Sequence, residues 1–245
     1  MGKALQVLCR GKIIEKICVW RKTMSKYKLH IDREQLWKGC VLNSIAHAIN
    51  VAHAPDFLHE SSWDGCNYSM QDSQGGRGTI TFHPDYTIVC LQDVNSERMD
   101  EWIDVANYFE GAPSEVIDIA KEEALQYVLE EVEGETVPFI TTAFWIEDSG
   151  AYSIDSFEEM EEHGGFLLET PLLDKESAME RLEEEYELTE EQIELLQIVY
   201  ERKIQSKNEE IILSKDEVAM IGTDDSEGLE VSKVSFKEMN ITWEL

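Results

Sequence analysis

Residues 39–54, GCVLNSIAHAINVAHA, contain no formally charged side chain, although 29% of the chain is charged. Together with the residues before it, this stretch predicts one helix over residues 33–54. Val41, Ile45 and Ala52 form an apolar stripe along that helix. Because exposed helix faces normally carry Lys and Glu, a helix without them is expected to face protein or ligand rather than bulk water.

A second stripe of the predicted helix is polar but uncharged, and it comprises Asn43, Ser44, His47 and Asn50. These residues lie at helical spacing and so share one face. Such groups either satisfy buried backbone and neighbouring loops or contact a ligand. The sequence leaves both alternatives open, and Asn43, His47 and Asn50 are therefore candidate binding residues.

Downstream of this helix, three short segments either alternate between apolar and polar residues or are rich in β-forming residues. They are YSMQD, GTITF and YTIVCLQD. Glycines and an HPD turn separate them, which predicts a three-stranded antiparallel meander. Helical spacing then predicts helices over residues 96–110 and 114–135. Ser114 is the expected N-cap of the second helix.

After Gly150 the sequence becomes more acidic and more helical in pattern. Residues 174–187 and 189–206 predict two charged amphipathic helices, and Thr189 with Gln192 forms a capping box at the start of the second. Short closing strands are predicted in EEIILS, LEVSKVSF and NITWEL. The predicted class is α+β, an antiparallel β-meander packed against helices with a more helical acidic C-terminal part.

The chain divides into three predicted parts. Residues 1–28 form a basic N-terminal extension, residues 29–150 an α+β core, and residues 151–245 an acidic, mainly helical part. The last either shares one core with residues 29–150 or forms a unit of its own. The extension either is a basic amphipathic helix, or it lies upstream of Met24 as the natural initiating methionine.

The net charge of −30 is concentrated after residue 38, where forty-eight acidic residues accompany eleven Lys and Arg. A body this acidic disfavours nucleic acid and anionic membranes and favours rapid association with a basic protein. Solubility alone, imitation of DNA and adaptation to high salt are the other interpretations. The leading hypothesis is a non-enzymatic binding protein that engages a basic partner, steered by segments 110–133 and 156–194. Toxin-neutralising immunity proteins are similar in size and acidity.

Five cysteines stand at positions 9, 18, 40, 66 and 90, without a CxxC pair. This pattern favours free thiols in a cytoplasmic protein over a disulfide framework or a structural zinc site. His47, His53 and His59 recur every six residues, which does not match one helix face, so no metal site is predicted. No stretch approaches the length of a membrane span, and no cofactor is predicted.

The segment SSWDGCNYSMQDSQGGRGTITF, residues 61–82, contains a WDG turn, three further glycines and one isolated arginine. Arg77 either forms an internal salt bridge or clamps a ligand carboxylate or phosphate. In the second case Trp63 or Tyr68 would stack beside the ligand. With Asp64 in the turn, these residues predict a rigid platform against the uncharged helix, and hence a sensor of a small anionic ligand as one alternative function.

A cysteine nucleophile is the other alternative. EQLWKGCVLNSIAHA places Cys40 where a helix is expected to begin, a position that lowers a thiol pKa. Gln35 could donate to an oxyanion, and His83 and His163 both precede apolar runs, as a general base would. Over about ten residues the segment resembles the start of a papain-like cysteine protease. It lacks the aromatic residue after the cysteine, and the glutamine spacing differs by one. The resemblance implies a cysteine-dependent hydrolase or transferase.

Overall fold

A computed structural model describes residues 26–100, 102–132 and 134–244. Nearly all of the predicted basic extension, residues 1–28, lies outside the described residues. Within them the predicted class is confirmed, because the chain is α+β and its helices are concentrated toward the C-terminus. None of the helices in this part of the chain is both long and apolar enough to cross a lipid bilayer.

A seven-stranded antiparallel sheet forms the centre of the fold, with the strand order β1-β9-β8-β5-β4-β3-β2. Its strands are β1 (Tyr27–Leu29), β2 (Ser61–Asp64), β3 (Asn67–Gln71), β4 (Gly76–Phe82), β5 (Thr87–Asp93), β8 (Thr142–Glu147) and β9 (Gly150–Ser153). The predicted meander is confirmed as β3, β4 and β5, which pair in consecutive antiparallel order. Two further sheets have two strands each. In one, β6 (Leu129–Val132) pairs antiparallel with β7 (Glu135–Pro138), and in the other β10 (Ile211–Leu213) pairs parallel with β11 (Ile241–Trp243).

The helices of the described residues flank this sheet. They are α1 (Arg33–Asn50), α2 (Ser114–Glu122), α3 (Phe157–Glu162), α4 (Glu169–Leu172), α5 (Lys175–Tyr186), α6 (Glu190–Gln205), α7 (Lys215–Ala219) and α8 (Ser226–Glu238). Short 3-10 turns occupy Pro55–Glu60, Glu97–Asp100, Val105–Phe109, Ala124–Tyr127 and Gly165–Leu168. The capping box at the start of α6 is confirmed, because Thr189 and Gln192 each bond the other's backbone N–H.

Helix α1 lies between the sheet and the C-terminal helices, which explains its uncharged sequence. Asp32 caps it by accepting a hydrogen bond from the backbone N–H of Gln35 at 2.8 Å. Leu36 and Cys40 pack on the sheet side. The opposite side packs against residues of α5, α6 and α8, and consists of Val41, Leu42, Ile45, Ala48, Ile49 and Ala52. Segments before and after Gly150 therefore contribute to one core.

The two faces of the sheet are covered by different layers. Successive strand residues point to opposite faces. Tyr68 pairs with Trp63 and Ile80 and shares their face, whereas Arg77 pairs with Gln92 on the other face. The first face packs against α1, and the second packs against α2 and the 3-10 turns beside it.

Three local predictions are wrong. Residues 96–110 form two 3-10 turns rather than one helix. The predicted helix over residues 114–135 ends at Glu122, and its N-cap is Pro113 rather than Ser114. The chain then enters a 3-10 turn and β6, because packing against the sheet overrides the helical spacing.

The third error concerns residues 229–236, which alternate like a strand but belong to α8. Gly228, Ser232 and Ser235 lie at helical spacing, and all three are buried. Ser232 donates a hydrogen bond of 2.6 Å to the backbone oxygen of Ala48 in α1. Small residues at this spacing let the two helices approach closely, and that packing determines the helix.

Candidate functional site

A pocket of about 380 Å³ opens between the edge of the sheet at β2 and the helices α1, α6 and α8. This volume lies near the lower end of small-molecule sites. The lining residues come from both halves of the sequence, and they are Trp37, Val41, Trp63, Gly65, Cys66, Phe82, Lys203, Lys207, Asn208, Glu238, Met239 and Asn240. Three of them are aromatic, and three carry charged side chains, namely two lysines and one glutamate.

Trp63 forms the best-fixed wall of the pocket. It lies on the edge strand β2, with its ring 5.0 Å from Tyr68 and 5.8 Å from Phe82, measured between ring centroids. Its indole Nε1 donates a hydrogen bond of 2.8 Å to the hydroxyl of Ser44. The same hydroxyl donates to the backbone oxygen of Cys40 at 2.7 Å. The orientation of the indole is therefore set by α1.

Lys203 supplies the buried charge of the pocket. It lies in the last turn of α6, and only 6% of the residue is exposed. Burial lowers the pKa of Lys203 below its usual range. No carboxylate of the described residues lies within ion-pair distance of its ammonium group. Most of the side chain is thus removed from water, and its ammonium group has no counter-ion among the described residues.

Comparison with the other lysines sets Lys203 apart. In the described ranges, the remaining lysines without an ion pair are all exposed, and they are Lys26, Lys28, Lys121, Lys215 and Lys237. Exposed ammonium groups are stabilised by water and need no partner. A buried one normally has a partner, because hydration is lost. Among the lysines of the described ranges that lack an ion pair, Lys203 is therefore the one that is buried.

Lys207 lies at the rim of the pocket and is already paired. Its ammonium group is 2.6 Å from a carboxylate oxygen of Glu34 and 4.4 Å from the ring centroid of Trp37. This pairing lowers the pKa of Glu34, chiefly through the hydrogen bond from Lys207. Lys207 therefore helps to hold the Trp37 ring in place. Its positive charge, unlike that of Lys203, is already balanced by a carboxylate.

Glu238 brings a carboxylate to the pocket from the last residue of α8. Its Oε2 accepts a hydrogen bond of 2.9 Å from the backbone N–H of Trp63. This bond provides an acceptor for one backbone N–H of the edge strand β2. Desolvation raises the pKa of Glu238, and the nearby Asp64 charge adds to the increase. Among the described residues, no Lys or Arg forms an ion pair with Glu238.

Arg77 does not line this pocket, and the structure does not bring it together with Trp63 and Tyr68. Arg77 lies on the opposite face of the sheet, because its register partner is Gln71 whereas Trp63 pairs with Tyr68. Its guanidinium group donates to Gln92 at 2.6 Å, to the backbone oxygen of Leu129 at 2.8 Å and to Glu130 at 2.7 Å. The observed geometry is the internal salt bridge, the other alternative left open by the sequence.

Tyr68 and Asp64 also have structural partners. Tyr68 is fully buried, and its hydroxyl accepts a hydrogen bond of 2.9 Å from Asn43. Asp64 is exposed on the face away from Trp63 and accepts a hydrogen bond of 2.8 Å from the hydroxyl of Tyr127. Of the four binding residues predicted in segment 61–82, Trp63 alone lines the pocket.

The polar stripe of α1 faces protein. Asn43 bonds Tyr68, and His47 is buried with its Nε2 3.0 Å from the backbone oxygen of Phe57. Burial lowers the pKa of His47, and its buried Nδ1 has no hydrogen-bond partner in the described structure. Asn50 is half-buried near the end of the helix. None of these candidate binding residues lines the pocket.

Cys40 does not lie where a helix begins, and that prediction is wrong. It occupies the interior of α1, which starts seven residues earlier at Arg33. The residue is fully buried, and burial raises the pKa of its thiol well above the usual value. The side chain of Gln35 donates to the backbone oxygen of Leu173 rather than toward the thiol.

The two candidate bases lie elsewhere. His83 is half-exposed, with its Nδ1 3.9 Å from a carboxylate oxygen of Asp85. The Nδ1 of buried His163 is 2.8 Å from the hydroxyl of Ser96, and burial followed by the nearby Arg98 charge lowers its pKa. Neither imidazole forms a hydrogen bond with Cys40. The structure thus does not assemble the predicted thiol and base.

Comparisons with other proteins add no further assignment. No family model matches the chain, and no curated protein or solved structure shows significant similarity to it. In residues 26–100, 102–132 and 134–244, no three His, Cys, Asp or Glu side chains cluster closely enough to hold a metal ion. The pocket geometry is therefore the main guide to function.

The sequence analysis missed Trp37, Lys203 and Glu238. The motif ERKIQSK around Lys203 looks like the cationic end of an amphipathic helix, where Lys and Arg complement the helix dipole. Arg202 fits that description, because it donates to the backbone oxygen of Ile212 and pairs with Glu217. A weak signal existed, since Lys203 and Lys207 lie four residues apart and so share one side of the helix end.

Proposed function

We propose that this protein binds a small organic anion with an apolar or aromatic body in the pocket between β2, α6 and α8. The main supporting observation is Lys203, a residue that is only 6% exposed, lines the pocket and has no counter-ion among the described residues. A ligand carboxylate or phosphate would replace the missing partner. This proposal keeps the class of the predicted anion sensor but moves its site from Arg77 to Lys203.

The aromatic walls support the second half of the proposal. Trp37, Trp63 and Phe82 present flat apolar surfaces, and Val41 and Met239 add aliphatic ones. A ligand body packed among them would be removed from water, which strengthens its charged contact with Lys203. The indole of Trp63 is held by Ser44, so little side-chain entropy remains to be lost on binding.

The proposal also predicts the direction of pH dependence. Burial lowers the pKa of Lys203 in the empty pocket. An anion favours the charged form and would raise that pKa again. Binding should therefore be accompanied by proton uptake and should weaken as pH rises through the lowered pKa of Lys203.

Calorimetric titration with two probes tests the proposal. 3-Phenylpropionate carries the anionic group, and 3-phenyl-1-propanol has the same body without charge. We expect the wild-type protein to prefer the acid by roughly tenfold or more, and Lys203→Met to abolish that preference. Lys237→Met, which removes an exposed lysine, is the matched control. Equal affinities of the wild-type protein for acid and alcohol would contradict the proposal.

A basic protein partner is a second candidate function, favoured by the charge of α5 and the start of α6. Residues 176–194 carry nine exposed glutamates, and none of them forms an ion pair within the described ranges. They are Glu176, Glu180, Glu183, Glu184, Glu185, Glu187, Glu190, Glu191 and Glu194. Such a field accelerates association with a cationic surface.

The partner hypothesis makes its own prediction. A basic protein retained by the chain at low salt should be released at about 0.5 M salt, where screening acts within a few ångströms. Replacing Glu180, Glu184, Glu187 and Glu191 by Gln should weaken retention similarly, whereas Lys203→Met should leave it unchanged. Retention that is indifferent to both salt and these substitutions would exclude electrostatic capture by this surface.

A further inference from the structure

We propose that Lys203 is a reactive amine, which condenses with an aldehyde or ketone of apolar or aromatic body and holds it in the pocket as an imine. This inference goes beyond the proposed function, because it uses the neutral amine of Lys203, whereas anion binding uses the ammonium form. It rests on the place of Lys203 in the pocket and on what surrounds its side chain.

The side chain of Lys203 combines burial with access to the pocket. Only 6% of the residue is exposed, and it is one of the lining residues. In the described structure, the fully enclosed side-chain nitrogens without a hydrogen bond belong to His47, Trp145 and Trp243, and Nζ of Lys203 is not among them. Nζ also has no hydrogen-bond or ion-pair partner among the described residues. The amine is therefore neither sealed in the core nor held by a partner from that part of the chain.

These surroundings favour the neutral, nucleophilic form of the amine. Removal from water destabilises an ammonium ion, whereas a neighbouring carboxylate would stabilise it. Within the described ranges Lys203 has the first condition without the second, and burial lowers its pKa accordingly. A desolvated lysine in an apolar pocket is one of the settings in which proteins use an amine as the nucleophile toward carbonyl compounds.

The other lysines of the described ranges lack this combination. Four of them each form an ion pair with a glutamate, and five are exposed without one. An ammonium group in water or beside a carboxylate stays protonated at neutral pH. These nine lysines therefore provide internal references for the reactivity of Lys203. The paired ones are Lys38, Lys175, Lys207 and Lys233, and the exposed ones are Lys26, Lys28, Lys121, Lys215 and Lys237.

The pocket walls provide for the rest of the carbonyl compound. Trp37, Trp63 and Phe82 present aromatic surfaces, and Val41 and Met239 present aliphatic ones. An apolar body packed against these side chains leaves water, which favours binding. Water is released when an imine forms and is consumed when it hydrolyses. A pocket that excludes water around the bound body therefore favours the imine.

The reaction balances without an oxidant or a reductant. The lone pair of neutral Nζ attacks the carbonyl carbon, so that a C–N bond forms while the π electrons of the C=O bond move to oxygen. A proton then passes from nitrogen to that oxygen and gives a carbinolamine. Departure of the hydroxyl group with the remaining nitrogen proton, as water, leaves the C=N bond. Hydrolysis reverses these steps and releases the carbonyl compound.

Reductive trapping in the full chain tests the proposal. The protein is incubated at about pH 7 with 3-phenylpropanal and sodium cyanoborohydride, which reduces an imine to a stable secondary amine. Peptide mapping by mass spectrometry then follows each lysine. We expect Lys203 to be modified roughly tenfold or more faster than the exposed lysines of the described ranges, Lys237 included. In guanidinium chloride this preference should disappear, because unfolding returns Lys203 to water.

A competitor tests whether the pocket is responsible. 3-Phenyl-1-propanol has the same body without a carbonyl group, so an excess should slow modification of Lys203 and leave that of Lys237 unchanged. Equal rates at Lys203 and Lys237 in the folded protein would overturn the proposal. So would a preference for Lys203 that persists after unfolding or that the alcohol does not reduce.

The outcome is separable from that of the proposed function. If wild-type protein prefers 3-phenylpropionate to the alcohol but Lys203 is not trapped selectively, the anion site stands and the reactive amine is excluded. Selective trapping at Lys203 without any preference for the acid gives the reverse result, in which the amine reacts and the anion site is excluded.

Discussion

The indole Nε1 of Trp63 donates a hydrogen bond of 2.8 Å to the hydroxyl of Ser44, which joins the edge strand β2 to the central helix α1. Ser44 is buried, and its own hydroxyl donates to the backbone oxygen of Cys40. The bond therefore lies between the main sheet and α1, the helix that packs against the sheet on one side and the C-terminal helices on the other. It also fixes one wall of the pocket.

Removal of this hydroxyl is expected to destabilise the protein. Ser44→Ala leaves the indole N–H of Trp63 without its acceptor in a half-buried position, which costs about 1–3 kcal/mol of unfolding free energy. Urea denaturation followed by tryptophan fluorescence measures this loss. Ser226→Ala, at an exposed position of α8, is the control and should be nearly neutral. Equal midpoints for the two variants would show that the Trp63–Ser44 bond contributes nothing.

Thiol labelling should follow burial. Cys40 and Cys90 are fully buried and burial raises the pKa of both thiols, whereas Cys66 is half-exposed at the pocket. We expect iodoacetamide to modify Cys66 first among these three, and Cys40 and Cys90 only after unfolding. Peptide mapping by mass spectrometry follows each site. Rapid modification of Cys40 in the folded protein would revive the cysteine-nucleophile hypothesis.

A methyl group at Gly228 should separate α8 from α1. A Cβ atom at this position would lie 2.0 Å from the backbone oxygen of Ala52, and backbone cannot move aside as a flexible side chain can. Gly228→Ala gains about 1 kcal/mol in helix propensity, but overpacking costs typically about 1–3 kcal/mol or more. We therefore expect a net loss in thermal stability. Glu230→Ala, on an exposed face of the same helix, provides the comparison, and a Gly228→Ala protein more stable than wild type would contradict the close approach.

Stability should fall as pH decreases through the usual pKa of histidine. His47 is buried, and burial lowers its pKa from the ordinary value of 6.5. The unfolded chain therefore takes up a proton at a pH where the folded protein does not, and stability present above about pH 6.5 is lost below it. For one group the slope is at most about 1.4 kcal/mol per pH unit.

His47→Gln isolates this contribution, because Gln keeps a donor for the backbone oxygen of Phe57 but does not titrate. Unfolding free energies at about pH 7.5 and 5.5 should differ less in this variant than in wild type. His163 contributes in the same direction in both proteins, since its pKa is lowered as well. If the substitution leaves the pH dependence of the unfolding free energy unchanged, His47 is not held neutral by burial.

The features that sequence predicted well are local. Thr189 and Gln192 form their capping box within a single turn, and the meander of β3, β4 and β5 is specified by alternation and short turns. The strand prediction for residues 229–236 was wrong because their conformation depends on a contact that is distant in sequence. Their alternation is genuine, but the small residues that contact α1 decide their conformation, and that contact joins segments more than 170 residues apart.

The candidate site was less predictable, because the register of the strands decides which face of the sheet each side chain occupies. Trp63 and Arg77 lie on strands separated by two turns, and one residue more or less in either turn would exchange their faces. Similarly, Arg202 and Lys203 are neighbours in one helix, but successive residues point about 100° apart. Arg202 pairs at the surface, while Lys203 faces the pocket because of how α6 is seated on α1.

The hydrogen bond between Trp63 and Glu238 has a consequence for synthesis, because its two ends are 175 residues apart. At ordinary elongation rates the ribosome needs on the order of ten seconds or more to add that length of chain. Until α8 has been added, the backbone N–H of Trp63 on the edge strand β2 lacks this acceptor, and the edge can pair with other strands. Premature termination before α8 would make that exposure permanent, so shortened products of this gene should be prone to aggregate.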